Sequence, residues 1–256
     1  MHRWLWRHAP ALVPWSIHKS IIEIEVTSDC NLRCYNCNRA VRQAPSAEGI
    51  SLEQVERFVG ESIELAWSWQ RIALCGGEPT LHPQLLDMLQ CFERYRHLHP
   101  DCMIALVTNE YGNAVKSMLS RLPDWVRVKN TNKSSPVQEF DSFNVAPIDL
   151  PEFKDVNFSR GCLVVEVCGL GLSRNGFYAC GPGASIDRVF GFDIGLKSLS
   201  LVEDARLREQ MNRLCRYCGL FKRNYGTKLI TEEMLSVNWQ KAIDEYKRDK
   251  PELSLY

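Results

Sequence analysis

Apolar and polar positions alternate strictly along IIEIEV, residues 21–26, so that Ile22, Ile24 and Val26 fall on one side of a strand and Glu23 and Glu25 on the other. The pattern then changes to helical spacing. Ser51 and Gln54 make a capping-box start for an amphipathic helix running to about Trp67. A short apolar run at 71–75 reads as a second strand, and Pro83 suits the first turn of the helix that follows. Further strands are expected at 103–108, 125–129 and 142–146, with a helix at 112–122. Strands alternating with helices imply a parallel sheet, and the fold class is α/β. In a barrel made this way the outward face packs on helices and must be apolar, which sends Ile22, Ile24, Val26, Val126, Val128, Phe143 and Val145 outward. Glu23, Glu25, Arg127, Lys129, Ser142 and Asn144 are then left facing the lumen. These lumen groups either pair with one another or bind a ligand; Arg127, Lys129 and Asn144 are the candidates for substrate contact.

The rest of the chain reads differently. Residues 163–179 look like two short strands joined by a Ser/Arg/Asn turn, a β-hairpin, and an amphipathic helix spans 198–214. A last helix is expected at 232–247, ahead of a charged tail. Three units follow: residues 1–160 as an α/β unit with an N-terminal extension, 161–225 as a small second unit, and 226–256 as a helical tail.

A chain of 256 residues can bury one large core. Lys plus Arg and Asp plus Glu balance at 31 each, so no global field attracts nucleic acid or an anionic membrane. The expected partner is a small molecule or a peptide. No apolar run approaches a membrane span, and the start MHRWLWRHAPALVPW lacks the form of a signal peptide. Eleven cysteines in such a chain suggest metal rather than disulfides, a reducing compartment and a cytoplasmic location.

Cys30, Cys34 and Cys37 form a C-x3-C-x2-C triplet directly after the first strand. Three thiolates on one loop can hold three irons of a 4Fe-4S cluster and leave the fourth iron open. A zinc knuckle would use the same thiols, but it comes with a fourth ligand nearby, and none follows here. The segment IEIEVTSDCNLRCYNC resembles the cluster loop of the radical S-adenosylmethionine (SAM) enzymes. Gly76, Gly77, Glu78 and Pro79 resemble the turn that in this superfamily receives the SAM ammonium group, and Thr108 and Asn109 resemble the strand end lining the same site. Glu110 stands where glycine is common, and Asn36 stands where an aromatic is usual; its backbone is the expected adenine contact. The resemblance implies a partial (β/α)6 TIM-like barrel over about residues 17–160.

Cys162 and Cys180 flank the hairpin, and Cys215 and Cys218 close the following helix as C-x2-C. Four thiolates can ligate either a second, closed 4Fe-4S cluster or a structural zinc. The arrangement resembles the C-terminal twitch domain, the shortened SPASM domain with an auxiliary 4Fe-4S cluster, found in 2-deoxy-scyllo-inosamine dehydrogenase and its relatives. Cys91 and Cys102 read as small buried hydrophobes, while Cys75 and Cys168 are either buried thiols or hydrogen-atom donors to a substrate radical.

The resemblance further implies an electron donor such as flavodoxin or ferredoxin, and a 5′-deoxyadenosyl radical that takes hydrogen from a small polar substrate. Oxidation of an alcohol is the leading expectation. Epimerisation of a sugar or peptide and peptide crosslinking are the enzymatic alternatives, and an iron–sulfur or zinc protein without radical chemistry is the non-enzymatic one.

Overall fold

The structure, a computed structural model, describes residues 14–225 and 229–256. Residues 1–13, within the expected N-terminal extension, and residues 226–228 lie outside the described residues.

One mixed sheet of six strands runs in the order β4-β3-β2-β1-β5-β6. Its strands β1 (Ile21–Thr27), β2 (Arg71–Gly76), β3 (Met103–Thr108) and β4 (Arg127–Asn130) are successive and parallel, as the alternation of strands and helices predicts. Register sets Ile22 beside Ile72 and Ile72 beside Ile104, then Ile24 beside Leu74 and Leu74 beside Leu106. These side chains are at most 1% exposed. Burial of each contributes roughly 1.5–3 kcal/mol, so this ladder anchors the sheet to its helices. Phe58 and Val55 from α1 (Leu52–Glu64) and Leu89 and Phe92 from α2 (Leu85–Leu98) belong to the same core. The opposite face carries Glu23 and Glu25, in register with Ala73 and Cys75.

α1 opens with the expected capping box: Ser51 Oγ accepts from Gln54 N at 3.2 Å, and Ser51 N donates to Gln54 Oε1 at 3.0 Å. It stops at Glu64, short of Trp67, because Ala66 turns into the left-handed region and the Trp67 indole donates to Lys19 O at 2.9 Å. α3 (Asn113–Leu119) lies within the expected helix.

Residues 142–146 are not a strand. They form a buried turn in which Val145 N donates to Ser142 O at 3.0 Å, while Phe143 packs on Trp239 with ring centroids 5.3 Å apart. Their alternation reflects an irregular segment pinned from two sides. The place beside β1 belongs instead to β5 (Leu170–Ser173), parallel to it, and β6 (Gly176–Tyr178) completes an antiparallel hairpin. The hairpin is therefore real but begins later than expected, since Leu163–Val167 is the short helix α4. It also extends the main sheet past β1. The sheet is thus four consecutive parallel strands plus a hairpin, rather than six βα units in sequence order.

A helix that the hydrophobic pattern did not disclose, α5 (Gly181–Phe190), follows the hairpin. Its Gly-Pro-Gly start hides the periodicity, although proline in a first turn is itself a start signal. α6 (Asp204–Leu214) begins after a 3-10 turn at Leu199–Leu201, so it is shorter than 198–214. α7 (Val237–Arg248) begins later than residue 232, because the preceding residues are held against the cysteine loop. Among the described residues no helix is long and apolar enough to cross a membrane.

Candidate functional site

β1 ends at Thr27 and delivers the chain into the loop bearing Cys30, Cys34 and Cys37. The Gly76–Gly77 turn at the end of β2 lies directly behind this loop. Gly77 N donates to Thr27 O at 2.8 Å, and Glu78 N donates to Asp29 O at 2.7 Å. A Cβ on Gly77 would stand 2.0 Å from Asp29 O and 3.0 Å from Cys30 Cβ, and one on Gly76, at φ +141°, would stand 2.2 Å from Thr27 O. Only glycine permits that approach, so the two motifs are one packed unit.

All three cysteines face a cavity of about 300 Å³, together with Gly76, Gly77 and Thr108. Burial pushes the Cys30 thiol up to about 12, and Cys37, Glu78 and Cys34 add to the effect. Burial also raises the Cys34 thiol, with Cys37 adding to it and Lys133 opposing. Such thiols give up their protons to a metal, not to water. Among the described residues no three Cys, His, Asp or Glu side chains converge tightly enough to hold a single metal ion. Three soft thiols on one cavity wall have the chemistry to hold an iron–sulfur group.

Five of the expected cofactor contacts line this cavity: Asn36, Gly76, Gly77, Thr108 and Asn109. The other two differ from expectation. Glu78 is fully buried, and its carboxylate accepts from Thr80 N at 3.2 Å, Thr80 Oγ1 at 2.7 Å, Thr108 Oγ1 at 2.8 Å and Asn109 N at 2.8 Å. It clamps the ends of β2 and β3 together, and Pro79, buried beside it, opens the following 3-10 turn. The Asn36 side chain is likewise engaged, donating to Glu232 O at 2.7 Å and accepting from Met234 N at 3.2 Å. Tyr35 is covered by the Arg42 guanidinium, 4.5 Å from its ring centroid.

The inner wall carries Glu23, Arg39, Cys75 and Cys168. Arg39 Nη2 donates to Glu23 Oε2 at 2.6 Å and to Cys75 Sγ at 3.3 Å, and Arg39 Nη1 lies 3.8 Å from Glu25 Oε2. Burial pushes up the Cys75 thiol, opposed by Arg39. Cys168 is pushed up to about 12 by burial and by the neighbouring Glu23 carboxylate. Arg39 escaped the sequence reading. Two lumen-facing carboxylates on β1 demand a cation, but the sequence does not say which of the nearby arginines supplies it.

The expected substrate contacts are not brought to this cavity. Lys129 is in register with cavity-lining Val107, so the strand pleat is as expected, but β4 is the edge strand and both Arg127 and Lys129 are exposed to solvent. Asn144 is fully buried outside the cavity wall, with neither side-chain amide atom hydrogen-bonded.

Cys162, Cys180, Cys215 and Cys218 line one apolar chamber with Met211, Leu214 and Leu220. Each comes from the end of an element: Cys162 and Cys180 precede α4 and α5, Cys215 caps α6, and Cys218 follows one turn later. Burial raises all four thiols, Cys162 to about 11 and Cys180 to about 12, and the four influence one another. Cys168 does not line this chamber. Val164, Pro182 and Leu220 line both spaces, so chamber and cavity adjoin.

No protein-family model matches the chain. Over 122 residues it is 26% identical to the GTP 3′,8-cyclase of Nitrobacter winogradskyi, covering 47% of this chain and 34% of that protein. It is 32% identical over 115 residues to the GTP 3′,8-cyclase of Nautilia profundicola, covering 44% and 34%. The chain thus spans about a third of the length of these curated relatives (34%). The crystal structure of BtrN in complex with AdoMet and 2-DOIA overlays with a TM-score of 0.46 at 12% identity, covering 83% of this chain and 92% of that one. Through the sequence similarity to the cyclases, the chain is a relative of the radical SAM enzymes.

Proposed function

We propose that the protein is a SAM-dependent radical enzyme that takes a hydrogen atom from a small polar substrate and oxidises an alcohol. The observation that carries this reading is the placement of two cysteine sets on adjoining spaces, one with mixed polar and apolar walls and one apolar. When bound, a 4Fe-4S cluster with SAM supplies a 5′-deoxyadenosyl radical for hydrogen abstraction, and a second cluster supplies an electron acceptor.

The chain's own part is to bind, orient and keep dry. Cys30, Cys34 and Cys37 would hold the first cluster, and the Gly76–Gly77 turn lets backbone carbonyls approach the SAM ammonium group. Val107, Val164 and Leu220 present apolar surface that excludes water from the radical. Glu23 and Arg39, braced against each other, offer acceptor and donor groups to a hydroxyl-bearing substrate. Cys162, Cys180, Cys215 and Cys218 would hold the second cluster as a twitch-like element.

A second reading has its own observation. Cys75 and Cys168 line the same cavity, and burial keeps both thiols protonated, the form that can return a hydrogen atom. Arg39 donates to Cys75 Sγ, which leaves that S–H directed elsewhere, whereas Cys168 has the Glu23 carboxylate as a neighbour. This favours epimerisation of a sugar or peptide.

Anaerobically reconstituted protein should be brown, hold about eight irons and form 5′-deoxyadenosine from SAM on reduction. A colourless zinc-loaded protein would defeat both readings. GTP belongs in the first substrate panel, because the relatives are GTP 3′,8-cyclases. Turnover in deuterium oxide then separates the readings: an oxidised product carries no deuterium at the reacting carbon, whereas an inverted product carries one. Deuteration lost in Cys75→Ala would replace oxidation by epimerisation.

A further inference from the structure

We propose that Lys222 is a built-in counter-cation for the four-cysteine chamber, matched to an anionic, thiolate-bound cluster and raising that cluster's reduction potential. The inference rests on reading Cys162, Cys180, Cys215 and Cys218 as cluster ligands.

Lys222 is only 6% exposed. Its ammonium donates to Ser142 Oγ at 2.5 Å, and among the described residues no carboxylate oxygen lies within the 4.0 Å of an ion pair. Asp141, the neighbour of Ser142, is instead paired with Arg223 at 3.2 Å. A buried ammonium with a single hydroxyl acceptor is costly, because the charge has left water without an opposite charge at ion-pair distance. Yet the chain holds it there. Lys222 lies four residues after Cys218, on the 3-10 helix Gly219–Tyr225. Gly219 N donates to Phe143 O at 2.8 Å, and a Cβ on Gly219 would stand 1.9 Å from Ser142 O, so residues 142–143 and this helix are pressed together. Burial lowers the basicity of Lys222, and of the groups that oppose burial Cys218 acts most strongly, ahead of Asp141 and Glu152.

With its four thiols protonated the chamber is neutral, and the ammonium has only the carboxylates of Asp141 and Glu152, neither within ion-pair distance. Four thiolates round an iron–sulfur core carry net negative charge, more of it in the reduced state. Charges near Lys222 therefore balance when the chamber is loaded, and the cation favours the reduced form. Fixed charge of this kind is one of the levers on cluster potential.

The test uses the reconstituted full chain, with its second cluster followed by an EPR-monitored redox titration, and with the Cys30→Ala/Cys34→Ala/Cys37→Ala variant identifying that cluster's signal. Lys222→Met keeps the apolar stem and removes the charge. It should shift the one-electron equilibrium against reduction by about tenfold, a fall of about 59 mV. Lys222→Arg should hold the original value, and so should Ser142→Ala, which removes the hydrogen bond and keeps the charge. Loss of second-site iron in Lys222→Met, with iron retained in Lys222→Arg, would also support a need for charge. An unshifted potential in Lys222→Met, or iron loss in both Lys222 variants, would overturn the proposal. Wild-type protein with about four irons and one cluster signal would instead defeat the ligand reading beneath it, and the role of Lys222 would fall with it.

Discussion

Cys30, Cys34 and Cys37 sit on one loop and look onto a cavity with polar and apolar walls, whereas Cys162, Cys180, Cys215 and Cys218 arrive from the ends of separate elements and line an apolar chamber. The three ligands are set by spacing along one loop, which the Gly76–Gly77 turn supports from behind while Asn36 ties it to Glu232 and Met234. The chamber exists only after α4, α5 and α6 have packed. The two sites should accordingly fail in different ways when cut. Losing a ligand from the loop removes chemistry from a fold that stands without it, while losing one from the chamber removes part of what holds the fold.

The largest expected effect belongs to the loop. Alanine at Cys30, Cys34 or Cys37 should abolish 5′-deoxyadenosine formation, measured by chromatography after anaerobic reduction with SAM, while circular dichroism stays near wild type. Undiminished cleavage in any one variant would remove the loop from the comparison. Gly77→Ala tests the support behind it. Because its Cβ would stand 2.0 Å from Asp29 O, the cysteine loop must shift, and SAM cleavage should fall by about 100-fold without loss of the C-terminal iron.

The chamber comes next. Alanine at Cys162, Cys180, Cys215 or Cys218 should halve the iron content and lower the melting temperature by roughly 5–10 °C, as expected for the loss of a metal linked to local folding. Cys168→Ala should leave the iron content unchanged, since Cys168 faces the lumen cavity and not the chamber. Iron loss there would redraw the ligand set. The smallest effect serves as a control. Gly60 lies in the interior of α1 with nothing within 4 Å of where a Cβ would stand, so Gly60→Ala should stabilise the protein by about 0.5–1 kcal/mol and leave SAM cleavage unchanged.

Legibility followed the range of the interactions. β1 to β4, the capping box at Ser51 and the triplet with its Gly-Gly turn could be read directly, because each depends on residue spacing within a few positions. Residues 142–146 misled because alternation along an irregular segment looks like alternation along a strand; Trp239, far away in sequence, decides what Phe143 packs on. Arg127 and Lys129 were read on the right side of the pleat and in the wrong surroundings, since the pattern shows which way a side chain points but not that β4 ends the sheet. Glu78 was read as a ligand group from the resemblance of its turn; that its carboxylate also ties β2 to β3, through donors from Thr80 and from the end of β3, was not legible because those donors meet it only after the strands pair.

By itself the sequence determined the parallel strand–helix order, the two sets of cysteines and the glycines that one of them requires. These are properties of periodicity, spacing and side-chain volume, which are local. Only the tertiary structure decided that the hairpin pairs with β1, that Arg39 joins Glu23 to Cys75, and that Lys222 is buried on Ser142 without a carboxylate at ion-pair distance among the described residues. Each of these joins groups that lie far apart along the chain or turns on what surrounds a side chain after packing, and no local pattern records such distances.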